Sequence, residues 1–244
     1  MAVSPKFRLT VGQLVSVSLG IYLRNIIPFL FLGTLVLGPW IAFELCVPLK
    51  ELPPSGLFAA VIGMILLVNV LTDMLTAAIT YGVVMQMRGT PAGLVDCIGK
   101  GISSFAHVIG TGVVVGLRIL VWLFTIYGII REPIRLFVAV PVAVMEDKAG
   151  NAAARRSVEL VRGNGAAVLW SMALTMVVNF GVNKVATFLM VGLDPEFDQN
   201  DPLLGAVIAV PVQTFLSTMM AVAYFLLRKG KENVDAAAIA KVFD

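Results

Sequence analysis

Residues 135–164 read RLFVAVPVAVMEDKAGNAAARRSVELVRGN, and the number of membrane crossings turns on how this stretch is read. It opens with an apolar run over 134–145, set between Arg135 and Glu146 and holding Pro141. A perpendicular helix needs about 20 residues to cross a bilayer. The run is therefore either a short span, with Arg131 and Arg135 snorkelling at one end, or a re-entrant segment. After Glu146-Asp147 comes an alanine-rich stretch in which Arg155, Glu159 and Arg162, spaced four and three apart, share one helical face. Val158, Leu160 and Val161 supply apolar area, and Gly163 can stop the helix. The pattern predicts a helix over 149–163 at the cytoplasmic interface. Arg155, Arg156, Glu159 and Arg162 would then face lipid headgroups or a partner.

The flanking sequence is more plainly membranous. Only 14% of the 244 residues are charged and 59% are apolar, against about 25% charged in soluble domains. The apolar residues come in long runs, which predicts an all-α, polytopic membrane bundle in one domain. Five further spans are expected at about 25–47, 57–85, 104–130, 165–192 and 203–227, and the short run makes a sixth at 132–147. Leu52-Pro53-Pro54-Ser55-Gly56 marks a turn, and a polar loop with Arg88, Gly89, Pro91, Asp96 and Lys100 precedes the third span. Residues 10–24 mix Val11, Leu14, Val15, Leu19 and Tyr22 with Gln13, Ser16 and Ser18 behind the potential N-cap Thr10. That spacing predicts a second interfacial helix.

Charge asymmetry favours six crossings. With six, one face collects Lys6, Arg8, Arg24, Arg88, Lys100, Lys148, Arg155, Arg156, Arg162, Arg228, Lys229, Lys231 and Lys241, while the other holds Lys50, Arg131 and Arg135. The rich face is cytoplasmic by the positive-inside rule, which puts both termini in the cytoplasm and the acidic stretch 194–201 outside. The net charge of +3 needs no nucleic acid to explain it, because the basic residues sit at segment ends.

Several polar residues fall inside the expected spans. Asp73, with Asn69 one turn before it, and Arg118 fall at similar depth on consecutive antiparallel helices, which predicts an intramembrane Asp73–Arg118 pair. Asn179 and Asn183 share a face of the fifth span. They read as interhelical polar contacts, with Lys184 snorkelling or meeting Glu44. Gly112 and Gly116 form a small-xxx-small pattern. The single histidine, His107, has no neighbours at metal-ligand spacing, and the two cysteines, Cys46 and Cys97, fall on opposite faces. No nucleophile elbow, HExxH or phosphate loop occurs, so no cofactor and no catalytic site is expected.

Three stretches carry a family likeness. They are Val140-Pro141-Val142 with Glu146, then Ala154-Arg155-Arg156-Ser157-Val158-Glu159-Leu160-Val161-Arg162-Gly163-Asn164, and the close Tyr224-Phe225-Leu226-Leu227-Arg228. With Tyr22-Leu23-Arg24-Asn25 before the first span, the chain resembles the bacterial family called glycerophosphoryl diester phosphodiesterase membrane domain and related six-span proteins. It departs from them at 127–133. The resemblance implies a module of the bacterial inner membrane without the catalytic barrel. The expectation is a non-catalytic accessory or scaffold subunit that contacts membrane lipids and other membrane subunits. A transporter or channel built on Asp73 and Arg118 is the alternative, and a membrane enzyme acting on lipid is a third reading.

Overall fold

The computed structural model describes residues 8–46, 53–122, 125–193 and 202–232. Leu52 of the expected turn, the acidic stretch 194–201 and the charged residues after Glu232 lie outside them; of the rest of the turn signal, Pro53 precedes a helix that already includes Pro54, Ser55 and Gly56. Among the described residues every regular element is a helix: α1 (Val11–Arg24), α2 (Ile26–Cys46), α3 (Pro54–Met87), α4 (Leu94–Ser103), α5 (Phe105–Trp122), α6 (Ile126–Leu136), α7 (Ala139–Met145), α8 (Gly150–Val161), α9 (Gly165–Leu193) and α10 (Pro202–Glu232). Five of them, α2, α3, α5, α9 and α10, are long and apolar enough to cross a membrane. The chain is thus an all-α, multi-pass protein by the length and composition of its helices.

The expected fourth span is not one helix. Residues 126–145 form α6 and α7 with a break at Phe137 and Val138. Proline explains the break. In a continuous helix Pro141 would supply no N–H to the Phe137 carbonyl and its ring would clash there. Restarting at Ala139 puts Pro141 in a first turn, where no N–H is needed. Seven residues rise only about 10 Å, so α7 cannot cross by itself. It is instead buried against α3 and α5 from Ala139 to Met145, save for half-buried Val140. Irregular backbone at such depth is tolerated where protein covers it.

Ser157 of α8 stitches the break. Its hydroxyl donates to the Arg135 carbonyl at 2.9 Å and accepts from the Val138 N–H at 3.3 Å. Both backbone groups are freed by the interruption, and Ser157 is fully buried. Ser157→Ala should therefore lower stability by about 2 kcal/mol, the cost of orphaning buried polar groups, read as the unfolding midpoint of the detergent-solubilised protein. A change under about 0.5 kcal/mol, the range of ordinary surface substitutions, would show that the stitch contributes nothing.

The third span is also shorter than its apolar run. α5 stops at Trp122, and Gly128 of α6 lies so close that a Cβ there would sit 2.7 Å from the Trp122 carbonyl oxygen. Glycine allows the chain to fold back at this point. The polar loop before α5 contains α4, which packs on α3 through Cys97 against Gly82 and Gly101 against Ala78.

The two expected interfacial helices differ. Thr10 caps α1 by accepting from the Gln13 N–H. Leu9 N–H donates to Asn164 Oδ1 at 2.7 Å, and Lys231 Nζ donates to the Glu159 and Arg162 carbonyls at 2.7 and 2.6 Å. The starts of α1 and α9 thus meet the ends of α8 and α10. At its far end the Tyr22 hydroxyl donates to the Pro211 carbonyl at 3.1 Å. α1 is packed against α9 and α10, and just past its end Asn25 Nδ2 donates to Gln86 Oε1 of α3 at 2.7 Å. α8 packs on α5, α6 and α7. It ends where Gly163 adopts a φ of +89°, a left-handed conformation that favours glycine.

Candidate functional site

α8 presents two charged faces. Ala153, Ala154, Ser157 and Leu160 are buried, while Arg155, Glu159 and Arg162 point outward and are exposed. Arg156 leaves that outer set, because one residue turns the helix by about 100° and aims it inward. Its Nε donates to Glu146 Oε2 at 3.0 Å, and Nη2 pairs with Glu232.

Around Glu146 a clasp joins the end of α7 and the neighbouring α8 to α10, which is distant in sequence. Lys148 Nζ approaches its Oε2 at 2.7 Å, Tyr224 donates to its Oε1 at 3.3 Å, and Arg228 Nη1 stands 3.9 Å away. Arg228 also donates to the Tyr224 hydroxyl at 2.7 Å and pairs with Glu232 at 3.1 Å. The Glu146 side chain is only 7% exposed. Burial alone would raise its pKa, but Lys148 and Arg156 override that and hold the carboxyl below its ordinary range. Arg156 is opposed by burial and held in its charged form by Glu232 and Glu146. Two neighbouring stretches of the sequence and a distant third contribute here, through Glu146, Arg156 and the Tyr224/Arg228 pair.

On the outer side of α8 lies a groove of about 930 Å³ between α6, α8 and the start of α9. Ile130, Ile134, Val158 and Val161 form apolar walls, with Gly165 at the start of α9; the charged lining is Arg131, Arg135 and Arg162. Arg135 is held by Glu132, whose side chain is 4% exposed, at 2.8 Å. The charge count by face separates Arg131 and Arg135 from Arg162 by a full crossing. The structure corrects this: α6 folds back against α8 and α9, and all three arginines line one groove.

The intramembrane residues are distributed differently from the expectation. Asp73 packs on Gly112, where a Cβ would overlap its carboxylate. Arg118 Nη2 donates to Asn151 Oδ1 of α8 at 2.7 Å. Residues 112 and 118 are about 240° apart around α5, so Asp73 and Arg118 address different faces, and the structure does not bring them together. Gly112 makes its close approach to α3, and Gly116 faces open space. Asn69 bonds its own Ile65 carbonyl at 2.7 Å. Asn183 bonds Asn179, to the carbonyl at 2.9 Å and Oδ1 at 2.8 Å, and Lys184 lies over the Phe180 ring, 5.5 Å from its centroid. Among the described residues no group of three or more His, Cys, Asp or Glu is placed to hold a metal ion.

Sequence reasoning missed the groove and the clasp. The amphipathic spacing of Ile130, Arg131, Ile134 and Arg135 was the available signal for the groove. Glu232, 76 residues beyond Arg156, gave none. Comparison with protein-family models, curated proteins and solved structures finds no match to this chain. The family likeness therefore rests on the quoted residues.

Proposed function

We propose that this chain is a non-catalytic accessory or scaffold subunit of a bacterial inner-membrane complex, and that it engages anionic lipid headgroups through the outer face of α8. One observation carries the reading: α8 is anchored by its alanine face and by Arg156, leaving Arg155, Glu159 and Arg162 exposed on a rigid base. Arginine is suited to phosphate, because its planar guanidinium donates in pairs.

The topology proposed with it keeps both termini cytoplasmic. Leu9, Asn164 and Lys231 gather at one end of the bundle, which supports an even number of crossings. In this reading α6 and α7 return the chain as a broken, protein-covered segment. Moving Arg131 and Arg135 to the α8 side strengthens the positive-inside bias. The likeness to phosphodiesterase membrane domains points the same way. Transport through an Asp73–Arg118 pair has less support, because those residues face different neighbours.

Native mass spectrometry of the protein extracted gently from its own membrane tests the proposal. The expected result is a larger assembly or retained anionic lipid. A lone, lipid-free chain would overturn it.

A further inference from the structure

Resting on that headgroup reading, we infer that the groove between α6, α8 and α9 is a discrete site for one anionic phospholipid, its phosphodiester held among Arg131, Arg135 and Arg162. Three guanidinium-bearing residues line a single cavity, two from α6 and one that caps the end of α8. Glu132 beneath Arg135 neutralises part of that charge and fixes the side chain at 2.8 Å, so the arginine is positioned before a ligand arrives. Gly165 brings the start of α9 into the lining, where the helix dipole adds positive potential. The volume, about 930 Å³, falls within the range of roughly 300–1,000 Å³ usual for small-molecule sites.

The walls decide between a lipid and a free anion. Inorganic phosphate would leave Ile130, Ile134, Val158 and Val161 in contact with water. An acyl chain covers them while its headgroup meets the arginines. The shared chemistry is a phosphate group on guanidinium donors, and the apolar lining assigns it to a lipid.

The full chain in detergent is titrated with phosphatidylglycerol, with phosphatidylcholine of the same acyl chains, and with inorganic phosphate, and bound species are counted by native mass spectrometry. The site predicts one tightly held phosphatidylglycerol, weaker phosphatidylcholine and no comparable phosphate binding. Arg131→Gln with Arg162→Gln should weaken the retained lipid at least about tenfold, as loss of charge-assisted hydrogen bonds implies. Lys184→Gln, about 28 Å along α9 from Gly165 and outside the groove, should leave it unchanged, and Arg155→Gln, on the headgroup face but not in the groove, should weaken it less than Arg162→Gln. Val158→Trp fills the groove without altering charge and should expel the lipid, which keeps the test sound if the double variant folds poorly.

Equal weakening by Arg155→Gln and Arg162→Gln alone would overturn the discrete site and leave the general headgroup reading standing. Phosphate bound as tightly as lipid would overturn the assignment to a lipid. Absence of any preference for phosphatidylglycerol would overturn both readings together.

Discussion

Glu146→Ala should destabilise the folded protein by about 3 kcal/mol, which places it with changes that strip one partner from a buried ion pair. The side chain is 7% exposed and touches Lys148, Arg156, Tyr224 and Arg228. Removing it leaves Arg156 and Arg228 with Glu232 as the carboxylate they share, beside the exposed Glu159 that stands 3.7 Å from Arg156. That residual partner keeps the loss at the low end of the usual range of about 3–5 kcal/mol. Glu146→Gln keeps an acceptor for Arg156 and should cost less. Equilibrium unfolding in detergent at pH 7 measures both, and an alanine variant within about 0.5 kcal/mol of wild type would mean that the clasp does not stabilise the fold.

The same residue gives a pH signature. Lys148 and Arg156 hold its folded-state pKa below the ordinary carboxylate range despite burial, so it favours the native state while ionised in both states. That contribution is fully present above about pH 4.5, the unfolded carboxylate value, and is lost as pH falls through the lower folded value. The gap between wild type and Glu146→Ala should therefore be widest near neutrality and close on acidification. A gap that grows as pH falls would reverse the assigned sign.

Most of the bundle was legible because continuous apolar runs end at unambiguous breakers. Pro53 and Pro54 open α3, and Gly163 separates α8 from α9. The failures share one physical origin, which is that local period and composition do not report on tertiary cover. α4 has Leu94, Cys97, Ile98 and Gly101 at helical spacing, yet Gly89, Pro91 and Gly93 nearby made the region read as a loop. The run at 134–145 is apolar enough for a span, but Pro141 divides it, and burial against α3 and α5 lets the break persist. α1 has the amphipathic spacing of a surface helix, and that spacing does not announce that α9 and α10 pack against it.

The site was legible only within one helix. Four-and-three spacing placed Arg155, Glu159 and Arg162 together without any tertiary knowledge. The inward turn of Arg156 needed Glu146 and Glu232, and nothing in the intervening sequence announces that meeting. Asp73 and Arg118 illustrate the converse case. Counting residues gives depth along a helix, but azimuth decides contact, and Gly112 rather than Arg118 occupies the position facing Asp73.

Azimuth also makes Gly33 the most size-sensitive position on α2. Gly33→Leu should cost about 3 kcal/mol, at the upper end of the usual penalty for overpacking a close-packed interior. A Cβ at Gly33 would stand 2.6 Å from Thr214 Cγ2 and 2.9 Å from Val210 Cγ1 on α10. Both neighbours are β-branched and cannot rotate aside freely, so α2 and α10 must separate. Separation would also strain Tyr22, whose hydroxyl lies 3.3 Å from Thr214 Oγ1. Gly33→Ala should lose less, because alanine regains up to about 1 kcal/mol of helix propensity. Gly38→Ala, on the same helix with nothing within 4 Å of its Cβ, should be neutral or stabilising. Thr214→Ser removes the offending methyl and keeps the hydroxyl that bonds the Val210 carbonyl at 2.9 Å. Combined with Gly33→Ala it should recover much of the loss, giving a favourable coupling of at least about 0.5 kcal/mol in a double-mutant cycle. Strict additivity between the two substitutions would place the penalty somewhere other than the α2–α10 contact.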